Sequence, residues 1–223
     1  IVFLSVVALV IILASALIYI RQRQLAGKAG EIKIDGIEDI KGLGYTGQRK
    51  IVADKNGDFL IAYRKKYQGA SEIFVAKNAF TNGHWTISGT SLPISTVGSK
   101  IDQRVPSIAI DSRNNIQVVW YGSDSSNLPN NRQIKYSRSE NGGQSWSSGK
   151  TISFVDSYTK RESYWQEHPY ILAGANDTLF IVWEGKDNNN GNQQIKFSRS
   201  SDGGNSWSQW KNVQATPDST QSR

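Results

Sequence analysis

Three groups of residues have types and spacings that could do chemistry. Arg104 and Glu167 each stand two residues ahead of a proline, Pro106 and Pro169, that opens a hydrophobic run. A guanidinium in such a place can pair bidentately with a carboxylate. Residues 156–168 concentrate ionisable and aromatic groups, among them Arg161, Tyr164 and Glu167, and two polar stretches, 123–132 with Asp124 and 186–192 with Asp187, complete the set. Other chemistries are excluded. The 223-residue chain has no cysteine, hence no thiolate nucleophile, disulfide framework or Cys-ligated metal. Its two histidines, His84 and His168, are too few for a His-built metal site, so no metal and no cofactor is expected. The Asn-rich stretch from Asp187 fails the EF-hand template, because Gly191 falls one position early and no Glu closes it. Asn176-Asp177-Thr178 is a glycosylation sequon, relevant only in a secretory pathway. There is no phosphate-binding glycine loop and no Ser/His/Asp arrangement. The net charge of +7 includes no Arg/Lys run interleaved with aromatics, so nucleic acid is not an expected partner.

These residues are carried by a repeat. One copy runs Val105-Pro106-Ser107-Ile108-Ala109-Ile110, then Ile116-Gln117-Val118-Val119-Trp120-Tyr121-Gly122, then Gln133-Ile134-Lys135-Tyr136-Ser137-Arg138-Ser139, and closes at Trp146. The next opens at His168-Pro169-Tyr170-Ile171-Leu172-Ala173, continues Leu179-Phe180-Ile181-Val182-Trp183-Glu184-Gly185 and Gln194-Ile195-Lys196-Phe197-Ser198-Arg199-Ser200, and closes at Trp207. A more degenerate copy around Ile51–Ala53, Tyr63, Phe74 and Trp85 precedes them. Each copy holds four short β-branched and aromatic runs (A to D) divided by Asn, Asp, Gly and Ser, which reads as four antiparallel strands. A β-sandwich would account for one copy but not for recurrence, whereas recurring four-stranded sheets are β-propeller blades that bury their faces against each other. The expected fold is all-β, a partial propeller of about three blades over 48–100, 101–152 and 153–212, the propeller region as a whole being 48–223. Three blades do not close a ring of the usual 4–8, so an open arc with apolar faces on its terminal blades is expected.

The C–D turns carry the sharpest motif. Ser200-Ser201-Asp202-Gly203-Gly204-Asn205-Ser206-Trp207 fits Ser-x-Asp-x-Gly-x-Ser/Thr-Trp, and Ser139-Glu140-Asn141-Gly142-Gly143-Gln144-Ser145-Trp146 fits it with Asn for Asp. This resembles the Asp box, or BNR repeat, of the sialidase-like β-propeller superfamily. Asp202 and Asn141 should cap the amides of their own turns, Gly143 and Gly204 should supply positive φ, and Trp146 and Trp207 should pack over the hairpins. The resemblance implies a structural role for these boxes, on the end away from the ligand, and a ring of six blades. It places the ligand at the end formed by the B–C loops and D–A links, where Arg104, Asp124, Arg161, Tyr164, Glu167 and Asp187 would lie. Arg104-Val105-Pro106 is similar to the sialidase Arg-Ile-Pro motif, whose arginine holds the substrate carboxylate, and Asp124 falls roughly where the family's general acid lies. Gln103 stands where that motif usually has an aromatic. The family's tyrosine nucleophile comes from late blades, beyond Arg223.

One segment departs from the soluble average. Residues 1–20 carry no charge, and only Ser5, Ser15 and Tyr19 interrupt the aliphatic run. As a helix this would span roughly 30 Å, the thickness of a hydrocarbon core. The run ends at Arg21-Gln22-Arg23 rather than at small residues, which favours an uncleaved anchor over a signal peptide. A transmembrane anchor over 1–20, a juxtamembrane linker over 21–47 and an extracytoplasmic propeller are therefore expected. The lack of Met at Ile1 and the blade count suggest a piece of a longer chain. Two functions follow: a membrane-anchored sialidase-like exo-glycosidase acting on extracytoplasmic glycans, or a non-catalytic propeller binding a glycan, glycoprotein or other protein. The oligomeric state is left open.

Overall fold

The computed structural model describes residues 42–43, 47–81, 84–89, 92–95, 101–123, 132–153, 165–187 and 190–213. The first sheet is a meander of β1 (Ile51–Ala53), β2 (Phe59–Tyr67), β3 (Ala70–Thr81) and β4 (His84–Gly89). The second contains β5 (Gln103–Ile110), β6 (Ile116–Gly122), β7 (Gln133–Ser139) and β8 (Lys150–Thr151). The third contains β9 (Gln166–Ala173), β10 (Leu179–Asp187), β11 (Asn190–Ser200) and β12 (Lys211–Asn212). All neighbours are antiparallel and in chain order, one sheet per sequence copy. The chain is thus all-β, built of three propeller-like blades. The expected anchor over 1–20 lies outside the described residues, as does nearly all of the linker over 21–47. Among the described residues no helix is long and apolar enough to cross a membrane.

Alternation along β6 explains how the blades stack. Val118 and Trp120 join Leu60, Ala62, Ile73 and Val75 of the first blade, while Val119 and Tyr121 join Ile171, Leu179, Ile181 and Trp183 of the third. With side chains alternating at period two, a strand between two blades buries both faces, and every residue of β6 is buried. Among the described residues the third blade is covered on one side, and on the other Leu172 is 44% and Val182 37% exposed. That is the apolar terminal face the sequence leads one to expect.

The C–D turns close as their residues require. Gly143 and Gly204 donate their amides to Ser139 and Ser200 Oγ, both at 2.8 Å, and Ser145 and Ser206 donate theirs to Asn141 and Asp202 Oδ1, both at 2.9 Å. The glycines adopt φ of +94° and +91°. Trp146 and Trp207 are only partly buried, and each packs on the core shared with the preceding blade. The second turn therefore does more than fold on itself. Arg138 donates to Gly203 O at 2.7 Å and Asn205 Oδ1 at 2.8 Å, and the Tyr136 ring meets Trp207 edge-on at 5.1 Å. It fastens the third blade to the second.

Candidate functional site

Antiparallel order puts the A–B and C–D turns at one end of the blades. The starts of A and C and the ends of B lie at the other, and there the second and third blades share an irregularity. On β5, Arg104 faces Tyr121 and Ser107 faces Val119; on β9, Glu167 faces Glu184 and Tyr170 faces Val182. In each case three steps on strand A oppose two on strand B, which is a β-bulge. The bulged residues, Val105 and His168, both have φ of 52°, in the left-handed region, and each precedes a proline that cannot donate to the ladder. The bulge sets Arg104 against Tyr121 and Glu167 against Glu184.

Two carboxylates directly across a ladder repel, and each has a basic side chain as partner. Arg132, at the foot of β7, forms an ion pair with Glu167, and His168 Nδ1 bonds Glu184 Oε1. Donor atoms of Glu167, His168 and Glu184 all lie within 4.8 Å of one another, a mixed carboxylate–imidazole set able to hold a cation. Counting histidines in the sequence did not reveal it. The His168 ring meets Tyr121 edge-on at 5.7 Å, which ties this group to the Arg104 side. Trp165, 38% exposed, has the Arg132 guanidinium and the Lys186 ammonium each 5.6 Å from its ring centre.

Arg104 is itself held. Its Nη2 donates to Asp102 Oδ2 at 3.0 Å, and Asp102 Oδ1 accepts the Ser71 amide at 2.9 Å, with Lys66 3.6 Å away. Burial pushes the Asp102 carboxyl up, but the Ser71 amide, Arg104 and Lys66 outweigh it and hold it below the ordinary range. For Arg104, burial acts to lower its pKa, while Asp102 and Tyr121 more than offset this and raise it. Nearby, burial pushes the Glu72 carboxyl up to about 7, opposed by a hydrogen bond from Ser95 and reinforced by the Asp102 charge. The site thus draws on all three blades.

A repeated brace supports it. Gln103 and Gln166, both fully buried, accept the indole N–H of Trp120 and Trp183 at 2.9 and 2.7 Å and donate to the carbonyls of Ser123 and Lys186. Gly122 and Gly185 lie beneath them, where a Cβ would come within 2.0 and 2.1 Å of the amide oxygens. Gln103 therefore has a structural reason to replace an aromatic.

Of the residues singled out by the sequence, Arg104 and Glu167 lie at this end, while Asp124, Arg161 and Tyr164 lie outside the described residues. Asp187 is at this end but buried, with Lys196 bonded to its Oδ2 and Asn212 3.3 Å away. The polar stretch 186–192 also differs from a long loop, because β10 continues to Asp187 and β11 starts at Asn190. Ser139, Asn141, Gly143 and Trp146, like Ser200, Asp202, Gly204 and Trp207, sit at the opposite end. Tyr121, His168, Glu184, Arg132, Asp102 and Glu72 were not singled out as site residues. A signal existed for the first three: they stand at the registers of Glu184, Val105 and Tyr121, each 63 residues away in the adjoining copy.

No family model matches the chain, and no curated protein matches it in sequence. Solved structures share its fold. A protein of unknown function from Dyadobacter fermentans is 13% identical with a TM-score of 0.53, covering 73% of this chain and 49% of its own. The GH93 α-L-arabinofuranosidase of Fusarium graminearum is 13% identical at TM-score 0.51, covering 79% and 53%. An endo-arabinase from Bacteroides thetaiotaomicron is 12% identical at 0.50, covering 74% and 60%. The chain spans about half to three-fifths of the length of these structures. Identity this low speaks to fold alone, an all-β arrangement of propeller-like blades.

Proposed function

We propose that the chain acts on glycans as a membrane-anchored, sialidase-like Asp-box propeller displayed outside the cytoplasm, with the B–C end as its ligand face. The observation that carries this reading is the cluster of Arg104, Tyr121, Glu167, His168, Glu184 and Arg132, drawn from two blades at one end and joined there by the Asp102 and Glu72 carboxyls. In this reading Arg104 receives a carboxylate on the sugar. The Glu167–Glu184 pair offers carboxyl groups beside it that can accept hydrogen bonds from the sugar hydroxyls. Trp165 offers an exposed ring between two cations for the apolar face of a sugar. The sugar-acting names of two fold neighbours, an endo-arabinase and an arabinofuranosidase, support a glycan ligand in general.

A second reading, a non-catalytic propeller that binds a glycan or protein, is favoured by one observation: Arg132 already pairs with Glu167 and His168 bonds Glu184, as in a structural polar network. Turnover of a fluorogenic sialoside by the full-length protein, compared with Arg104→Ala, separates them. Turnover that falls at least a hundredfold in the variant supports the hydrolase. Acidic-glycan binding without turnover supports the second reading, and neither activity refutes the hydrolase and any glycan-binding role.

A further inference from the structure

The copies share a brace at the start of strand C. In the second blade Ser153 Oγ accepts the Ile134 amide at 2.8 Å and donates to Gln133 Oε1 at 2.8 Å. In the first blade Ser95 Oγ accepts the Ile73 amide at 2.8 Å and donates to Glu72 Oε2 at 2.5 Å. The register puts Gln194 at this position in the third blade, since Ile73, Ile134 and Ile195 stand opposite Arg64, Tyr121 and Glu184. Glu72, Gln133 and Gln194 are all buried, at 5%, 4% and 0% exposure. An amide is therefore enough for the brace. The carboxyl in the first blade adds something an amide lacks, a charge that can be switched.

Its surroundings show where that charge would act. Ser71, the preceding residue, gives its amide to Asp102, and Asp102 holds Arg104. Ser95 from residues 92–95 bonds Glu72 and the Asp102 charge acts on it, while two lysines of β2 and Arg104 of β5 are the charged neighbours of this pair. Of these, Lys65 stands directly across the ladder with its ammonium 5.5 Å from the Phe74 ring centre, and Lys66 reaches Asp102. We propose that Glu72 makes Arg104 a proton-linked site for a carboxylate-bearing sugar. With Glu72 neutral, Lys65, Lys66, Arg104 and Asp102 leave two net positive charges to receive the ligand. With Glu72 ionised one of them is cancelled, so tighter binding of the ligand is linked to one proton on Glu72. Burial and the Asp102 charge bring this carboxyl to about 7, inside the range where the switch operates.

The inference rests on the reading of Arg104 as the carboxylate-binding group, and the test separates the two. Binding of sialic acid and glucuronic acid, with their methyl esters as controls, is measured by calorimetry at pH 5.5 and 8.5. The proteins are the full-length chain, Glu72→Gln and Arg104→Ala. The expected result is affinity about tenfold higher at pH 5.5 for the acids but not the esters, one unit charge a few Å away being worth on the order of that factor. Glu72→Gln should lose most of the wild-type pH dependence and bind the acids more tightly than the wild type at pH 8.5. Every other ionisable group is common to the two proteins, and Gln is the residue the other blades carry, so the fold is retained. The same pH dependence in Glu72→Gln overturns the inference while leaving the site intact. Equal binding by Arg104→Ala, or no binding of the acids at either pH, overturns the Arg104 reading and the inference with it.

Discussion

Replacing Glu72 by Gln also gives a prediction about stability that needs no ligand. Burial raises the Glu72 pKa from the ordinary 4.5 to about 7. The sign follows from proton counting. Between pH 4.5 and 7 the folded protein holds a proton at Glu72 that the unfolded chain has released, so stability falls as pH rises through this window and is level above it. The difference of about 2.5 pH units corresponds to at most about 3 kcal/mol, and solvent relaxation around the group reduces this to roughly 1–3 kcal/mol. A glutamine at this position keeps the acceptor for Ser95 and never ionises. Glu72→Gln should therefore match the wild type near pH 4 and exceed it by about 1–3 kcal/mol at pH 8. Lys50 works in a separate window: burial lowers its pKa to about 7, so it adds stability as pH rises from there toward 10.5. Since Lys50 is present in both proteins, the difference between them isolates Glu72. Denaturant unfolding of the full-length protein at pH 4, 6 and 8, followed by tryptophan fluorescence, reads that difference. A gap of constant size across pH, or a variant less stable at pH 8, refutes the reasoning.

Other consequences are equally specific. Gly204→Ala puts a Cβ 1.8 Å from Tyr136 Oη at φ +91°, whereas Gly57→Ala, at +81°, meets nothing within 4 Å. The first should cost about 1–3 kcal/mol more than the second in thermal or denaturant unfolding; equal losses would show that the turn does not dock on Tyr136. Asp187→Ala strands the buried Lys196 ammonium, which lies 3.9 Å from the Trp210 ring centre, and should cost about 3–5 kcal/mol. Lys196→Met in the same chain should recover much of the loss, and failure of the double variant to recover would place Asp187 in another role. Deleting residues 1–20 should move the protein from the membrane to the soluble fraction of a lysate, and continued sedimentation with membranes would overturn the anchor.

The fold was legible because its signals are local and repeated. The hydrophobic run of β6 with Trp120 in it, the Asn/Gly turns and the two Ser…Trp boxes fall at matched offsets, and each gives a strand or turn without knowledge of its neighbours. The candidate site was legible only in part: the prolines two residues after Arg104 and Glu167 mark the strand start and so the end of the blades at which both lie. What the sequence hides is register. The bulges at Val105 and His168 set Glu167 across from Glu184, and nothing local to Glu184 says that it faces another carboxylate. Asp187 shows the converse: in an Asn-rich stretch it reads as solvated, yet strand pairing extends far enough to bury it against Lys196, sixty-one residues after Lys135 in the register of the neighbouring copy. Glu72 is visible only once Gln133 and Gln194 are known to occupy the same place.

The central claim is that ligand binds at the B–C end and not at the Asp-box turns. Hydrogen exchange of the full-length protein with and without an acidic glycan tests it most directly. The account predicts added protection around Ser71, residues 101–105, Gln166–Glu167 and Glu184–Lys186, with residues 139–146 and 200–207 unchanged. Protection confined to those two turns would contradict it.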